Sequence, residues 1–177
     1  MLARAVEGLR AAGLRGEAAA LPPAFAAMDA AHRTLMSAAV ARGFDAIEAQ
    51  AGDRLSGDLR AFIHRGRGET QAALAAARAA VAAVHEALAA LAAGGAVFLW
   101  PSAPGEAPQG MATGSAVLNR PWSLLGYGVI TVPAFAGPAG LPLGLQLIDP
   151  APGAPRLFTA AALAETALAR PTREKTP

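Results

Sequence analysis

Two adjacent glycines, Gly94 and Gly95, separate two kinds of sequence in this chain of 177 residues. Before them, Glu69 to Ala93 is built from alanine, leucine, glutamine, glutamate and arginine, with Leu74, Val81, Val84, Leu88 and Leu91 in one apolar stripe. These residues lose little entropy in a helix, and a glycine pair ends one cleanly. After the glycines, prolines and glycines punctuate short apolar runs. Ala96 to Trp100, closed by Pro101, reads as a buried parallel strand, and Val129 to Val132 and Leu143 to Ile148 are further strands. A last helix spans about Pro155 to Ala169, with Leu157, Phe158, Ala161, Leu163 and Leu168 as its apolar residues. Helices alternating with buried strands predict an α/β fold with helices packed on a small mixed β-sheet.

The residues before Glu69 are helical with polar breaks. Leu2, Val6, Leu9 and Arg10 trace a short helix stopped by Gly13, and Glu17 to Leu21 reads as strand-like. Pro22 and Pro23 open a helix in which Phe25, Met28, His32, Leu35, Met36 and Val40 recur at helical spacing as far as Gly43. Asp53 to Gly68 predicts a short helix between two turns, packed through Leu55, Leu59, Phe62 and Ile63. The expected organisation is one partial domain: residues 1–95 mostly helical, 96–170 a strand-turn-helix core, and 171–177 a flexible polar tail.

Composition narrows the function. The absence of cysteine excludes a disulfide framework, a thiol nucleophile and a cysteine-bound metal. The net charge is only +2, with arginines scattered among acids, so no nucleic-acid footprint is expected. The N-terminus is charged and amphipathic, unlike a signal peptide, and no run reads as long and apolar enough to span a bilayer. A soluble cytoplasmic protein without membrane contact is the expectation.

From Ala96 the chain carries an ordered series: Pro101-Ser102, Ala103-Pro104-Gly105, Thr113-Gly114, Asn119-Arg120-Pro121-Trp122-Ser123-Leu124-Leu125-Gly126, and Gly140-Leu141-Pro142-Leu143-Gly144-Leu145-Gln146. In the last string Gly140 and Pro142 shape a tight turn, and Gly144 is expected to remove a side chain where another backbone approaches closely. This series resembles the C-terminal core of the amidase signature family. Leu21-Pro22-Pro23, Ala31-His32-Arg33, Leu55-Ser56 and the alanine-rich helix resemble that family's helical cover less specifically. Two departures are Gly128, where members commonly carry proline, and Asp149, where they carry glycine.

The resemblance implies hydrolysis of carboxylic amides by a serine nucleophile, activated by a second serine and a buried neutral lysine. A lysine loses its charge only when desolvated deep in a fold, within hydrogen-bond reach of the serine. The one lysine here, Lys175, lies between Glu174 and Thr176 in the polar tail and reads as solvated. The serines Ser37, Ser56, Ser102, Ser115 and Ser123 are separated, and none sits in a Gly-Gly-Ser loop able to form an oxyanion hole. No catalytic residue is therefore assigned in this chain; the family places that set before the portion seen here.

Other constellations are weaker. Ser102 with His64 or His85 and an acid lacks a Gly-x-Ser-x-Gly elbow and reads as structural. His32 reads as a packed histidine on an apolar helix face. His85 and Glu86 are adjacent, so they face different sides of a helix and no metal site is expected. His64-Arg65-Gly66-Arg67-Gly68 lacks the strand, lysine and hydroxyl of a phosphate loop and reads as an exposed turn. Trp122 and Asn119 are the candidate substrate-binding pair, an aromatic body and an amide able to line an acyl or amide pocket. Also open at this point, and the plainer reading, is a structural role, with Trp122 filling the core and Asn119 capping the helix opened by Pro121. Trp100 reads as core or rim.

The expected function is that of the C-terminal portion of an amidase-type hydrolase, inactive alone and without cofactor. Its expected partner is an amidase N-terminal half or a second copy of itself. The alternative is a non-catalytic remnant or protein-interaction module derived from an amidase.

Overall fold

The computed structural model describes residues 1–151 and 155–168. The expected polar tail with Lys175, and Ala169 at the expected helix end, lie outside the described residues. Contacts divide the chain into two compact units, Pro22–Glu86 and a second made of Met1–Leu21 with Ala87–Pro177.

The Pro22–Glu86 unit is helical. A 3-10 turn at Pro23–Ala27 follows the two prolines and leads into α2 (Met28–Ala51), the helix after the N-terminal α1 (Leu2–Ala11). The expected stop at Gly43 does not occur; α2 runs on to Ala51, because one glycine costs only about 1 kcal/mol among good helix formers. Ser56 caps α3 (Gly57–Arg67) by accepting the Leu59 amide hydrogen at 3.3 Å. Gly66 lies against α2: a Cβ there would stand 1.9 Å from the Ser37 carbonyl oxygen. Arg67 bridges Asp45 at 2.7 Å and Glu48 at 2.5 Å. The segment His64 to Gly68 is therefore the end of a helix packed on its neighbour, not an exposed turn. His32 sits half-buried on α2.

Helix α4 (Gln71–Leu91) matches the alanine-rich stretch and ends before Gly95, whose φ is +84°. Contrary to the expectation from the sequence, it is long and apolar enough to cross a bilayer by length and composition, with a mean hydropathy of 1.5 over 18 residues. Alanine makes up most of the helix, with Leu74, Val81, Val84, Leu88 and Leu91 as its larger apolar residues, so it is poor in the leucine, isoleucine and phenylalanine that favour hydrocarbon most strongly.

The second unit holds a three-stranded sheet of β1 (Phe98–Pro101), β2 (Gly128–Ala136) and β3 (Pro142–Asp149), ordered β1-β3-β2. Both pairings are antiparallel, which corrects the expectation of a parallel first strand and of a mixed sheet. The apolar run at β1 reflects half-burial on both sides rather than parallel pairing. Between β1 and β2 lies the short α5 (Arg120–Leu125), closed by Gly126 at φ +69°. Residues 17–21 are described and form no strand.

Side chains alternate along β3, so its two faces are distinct. Leu145 and Leu147, with Val132 and Ile130 beside them on β2 and Leu99 on β1, face α1 and α6 (Pro155–Leu168). Ala5 from α1 and Leu157, Ala161 and Ala164 from α6 complete this cluster. Small residues let the helices close together; a Cβ at Gly8 would meet Leu168 at 3.1 Å. At the end of β3, buried Asp149 accepts from Arg156 Nε and a terminal nitrogen at 2.7 Å each, and from the Ala151 amide at 2.8 Å. The Arg156 hydrogen bond holds the Asp149 carboxyl below the ordinary carboxylate range. The family departure at 149 thus has its own local partner, a bidentate clamp that starts α6.

Candidate functional site

The opposite face of β3 carries Gly144, Gln146 and Ile148. Directly opposed residues on antiparallel strands share a face, so Trp100, Gln146 and Thr131 form one row across the sheet. One step along, Ser102 donates its backbone amide hydrogen to the Gly144 carbonyl at 3.1 Å. A Cβ at Gly144 would fall 2.8 Å from both Ser102 Oγ and Thr131 Cγ2. The expected backbone approach is the Val132 carbonyl at 3.3 Å, but the two nearest groups are side chains, which the sequence does not anticipate.

Gln146 organises this face. It is 2% exposed, inside a strand whose only other buried polar side chain is Asp149 at its end. Its Nε2 donates to the carbonyl oxygens of Pro101 at 3.3 Å and Ser102 at 3.4 Å, and to Oδ1 of Asn119. One buried amide therefore ties the end of β1 to the start of α5, the two ends of a long connecting loop. A buried amide is costly unless paired, so these bonds are what permit a glutamine at this position.

The candidate pair Asn119 and Trp122 comes together here with two different outcomes. Trp122 is 2% exposed and packs edge-to-face on Trp100, with ring centroids 5.6 Å apart at 76°. It belongs to the buried core and packs against Trp100. Asn119 occupies the cap position of α5, yet its side chain makes no cap hydrogen bond; it is exposed and turns to Gln146 instead. Gln146 is a residue of this site that the sequence alone does not mark. The available signal was an amide inside the run Leu143 to Ile148, where every other non-glycine residue is apolar.

The same loop is pinned at its middle. Glu106 accepts the amide hydrogens of Ala139 at 3.0 Å and Leu141 at 2.9 Å through Oε1, and of Ala139 at 3.1 Å through Oε2. These amides belong to the turn between β2 and β3, where Gly140 has φ +83°. The β1–α5 loop is thus held at Ser102, Glu106 and Asn119. Its tip exposes Met111 almost completely, at 98%.

Ser37 and Ser56 are held by structural hydrogen bonds. Ser37 donates to the Thr34 carbonyl at 3.1 Å and to Glu69 at 3.2 Å, and Ser56 serves its cap. Among the described residues no group of three histidine or acidic side chains is placed to hold a metal.

No protein-family model and no curated protein matches this sequence. Solved structures do. A crystal structure described as an amidase superposes with a TM-score of 0.81 at 22% identity, over 94% of this chain and 41% of that one. The fold is part of an amidase fold. Two structures of 6-aminohexanoate cyclic dimer hydrolase, one of them complexed with substrate, superpose with TM-scores of 0.67 at 21% identity. Each is matched over 95% of this chain and 41% of its own length. The chain therefore spans about two-fifths of the length of the amidase-fold proteins it resembles. The similarity includes the helical region as well as the sheet.

Proposed function

We propose that these residues form the C-terminal portion of an amidase-type hydrolase acting on carboxylic amide C–N bonds. They supply one wall of the substrate pocket and none of the Ser-Ser-Lys chemistry. The observation that carries this reading is the superposition on an amidase over 94% of this chain but 41% of that protein. The exposed Asn119 amide, bonded to buried Gln146 beside Trp100, supports it, because a fixed hydrogen-bonding group near an aromatic ring suits a planar amide.

In this reading Asn119 and Trp122 belong to the pocket in different ways, Asn119 touching ligand and Trp122 holding Trp100 in place. The partner is a segment carrying the buried lysine and serine-rich loop, and the assembly is soluble and cytoplasmic. A reconstitution tests it. The purified chain is mixed with a polypeptide supplying such a segment, and ammonia release from a simple carboxamide is followed. Activity should arise only in the mixture and vanish when the added segment's nucleophilic serine is replaced by alanine. A mixture that associates stably yet never turns over any carboxamide contradicts the proposal.

A further inference from the structure

Carbonyl oxygens only accept hydrogen bonds, and this fixes more of the site than one residue. Because Pro101 and Ser102 present carbonyls to one end of the Gln146 amide, that end is the NH2 group. The same nitrogen faces the end of the Asn119 side chain, which must then be its oxygen, since two NH2 groups would repel. We infer that Gln146 is a positioning residue that locks the exposed Asn119 amide with its oxygen inward and its NH2 outward, making Asn119 a fixed donor for a ligand's acceptor oxygen. The orientation follows from hydrogen bonds alone; its use by an amide or carboxylate oxygen rests on the amidase reading.

The consequence is a polarity. A flexible asparagine can offer either an acceptor or two donors, and so discriminates little between an oxygen and an amine. An asparagine held by Gln146 offers donors only. The ligand group at this point is then a carbonyl or carboxylate oxygen, and an ammonium group is disfavoured.

Side-chain NMR reads the two parts separately. Asn119 is the only asparagine, so its NH2 pair is assigned by its loss in Asn119→Asp, and Gln50, Gln71 and Gln109 are exposed glutamines for comparison. The Gln146 NH2 protons should exchange at least about tenfold more slowly than those three, while the Asn119 protons exchange at their exposed rate. In Asn119→Asp the carboxylate still accepts from Gln146, so the Gln146 protons should stay protected in a folded protein. Protected Asn119 protons, or unprotected Gln146 protons, would overturn the orientation whatever the protein's activity. For the ligand role, benzamide and benzoate should shift the Asn119 NH2 signals saturably and benzylammonium should not. No shift with either acceptor probe, or a preference for benzylammonium, would overturn the donor role. If Gln146→Leu folds, its Asn119 signals should lose the benzamide response; an unchanged response removes Gln146 from the account.

Discussion

The two faces of the small sheet are made from alternate residues of the same strands, and they are chemically opposite. One face places Leu145, Leu147, Val132 and Ile130 against alanines and leucines of α1 and α6, and its cohesion is burial. The other places Trp100, Gln146 and Thr131 in a row with Ser102 and Asn119 beside them, and its order comes from directed hydrogen bonds. The difference separates fold from site. Burial of leucine and alanine is a non-directional force, whereas an amide with three acceptors in reach has one good orientation.

Substitutions in a stability series should therefore fall in order across the sheet. The largest effect belongs to the covered face: Leu145→Ala, at a fully buried position, should cost about 2–5 kcal/mol in a denaturant titration. A loss below about 1 kcal/mol would mean that α1 and α6 do not hold this face as described.

Next comes Gly144→Ala, where the new methyl would meet Ser102 and Thr131 at 2.8 Å. Overpacking there should cost about 1–3 kcal/mol, and Ser102→Gly in the same background should recover part of it. Failure of that rescue would show that Thr131 or the Val132 carbonyl sets the limit.

A smaller effect is expected at the sheet's end, where Asp149→Asn weakens the clamp to half-exposed Arg156 and should lower Tm by about 3 °C at neutral pH. Because Arg156 holds the folded-state pKa below the unfolded one, the carboxylate stabilises the fold above the ordinary aspartate range. That contribution is lost as pH falls through the folded value. The wild type and Asp149→Asn should therefore converge in acid, and a gap that widens below about pH 4 would contradict the assignment.

The smallest effect belongs to the exposed donor. Asn119→Asp should change unfolding stability by less than about 0.5 kcal/mol while abolishing any response to benzamide. A large stability loss would move Asn119 from the site to the frame.

Much of this frame was legible from sequence because periodicity and punctuation are local. The alanine-rich helix, the stops at Gly13 and Gly95 and the three strands follow from neighbouring residues. What stayed hidden was set by distant partners. Strand direction at β1 depends on β3, nearly fifty residues later, and an apolar run looks alike in either sense. Gly43 resembled a stop because nothing local revealed that α2 continues. Gly66 and Arg67 looked like a loop because the Ser37 carbonyl, Asp45 and Glu48 that explain them lie on another helix. Asn119 was found as a polar residue beside a tryptophan, but its bond to Gln146 crosses 27 residues and had no local sign.

The central proposal is that these residues supply a pocket wall of an amidase-type hydrolase and not its attacking group. The direct measurement is ammonia release from acetamide or benzamide by the purified chain alone, free of contaminating hydrolases. The account predicts a rate indistinguishable from buffer. Turnover that rises in proportion to the chain and disappears in Ser102→Ala or Ser123→Ala would contradict it.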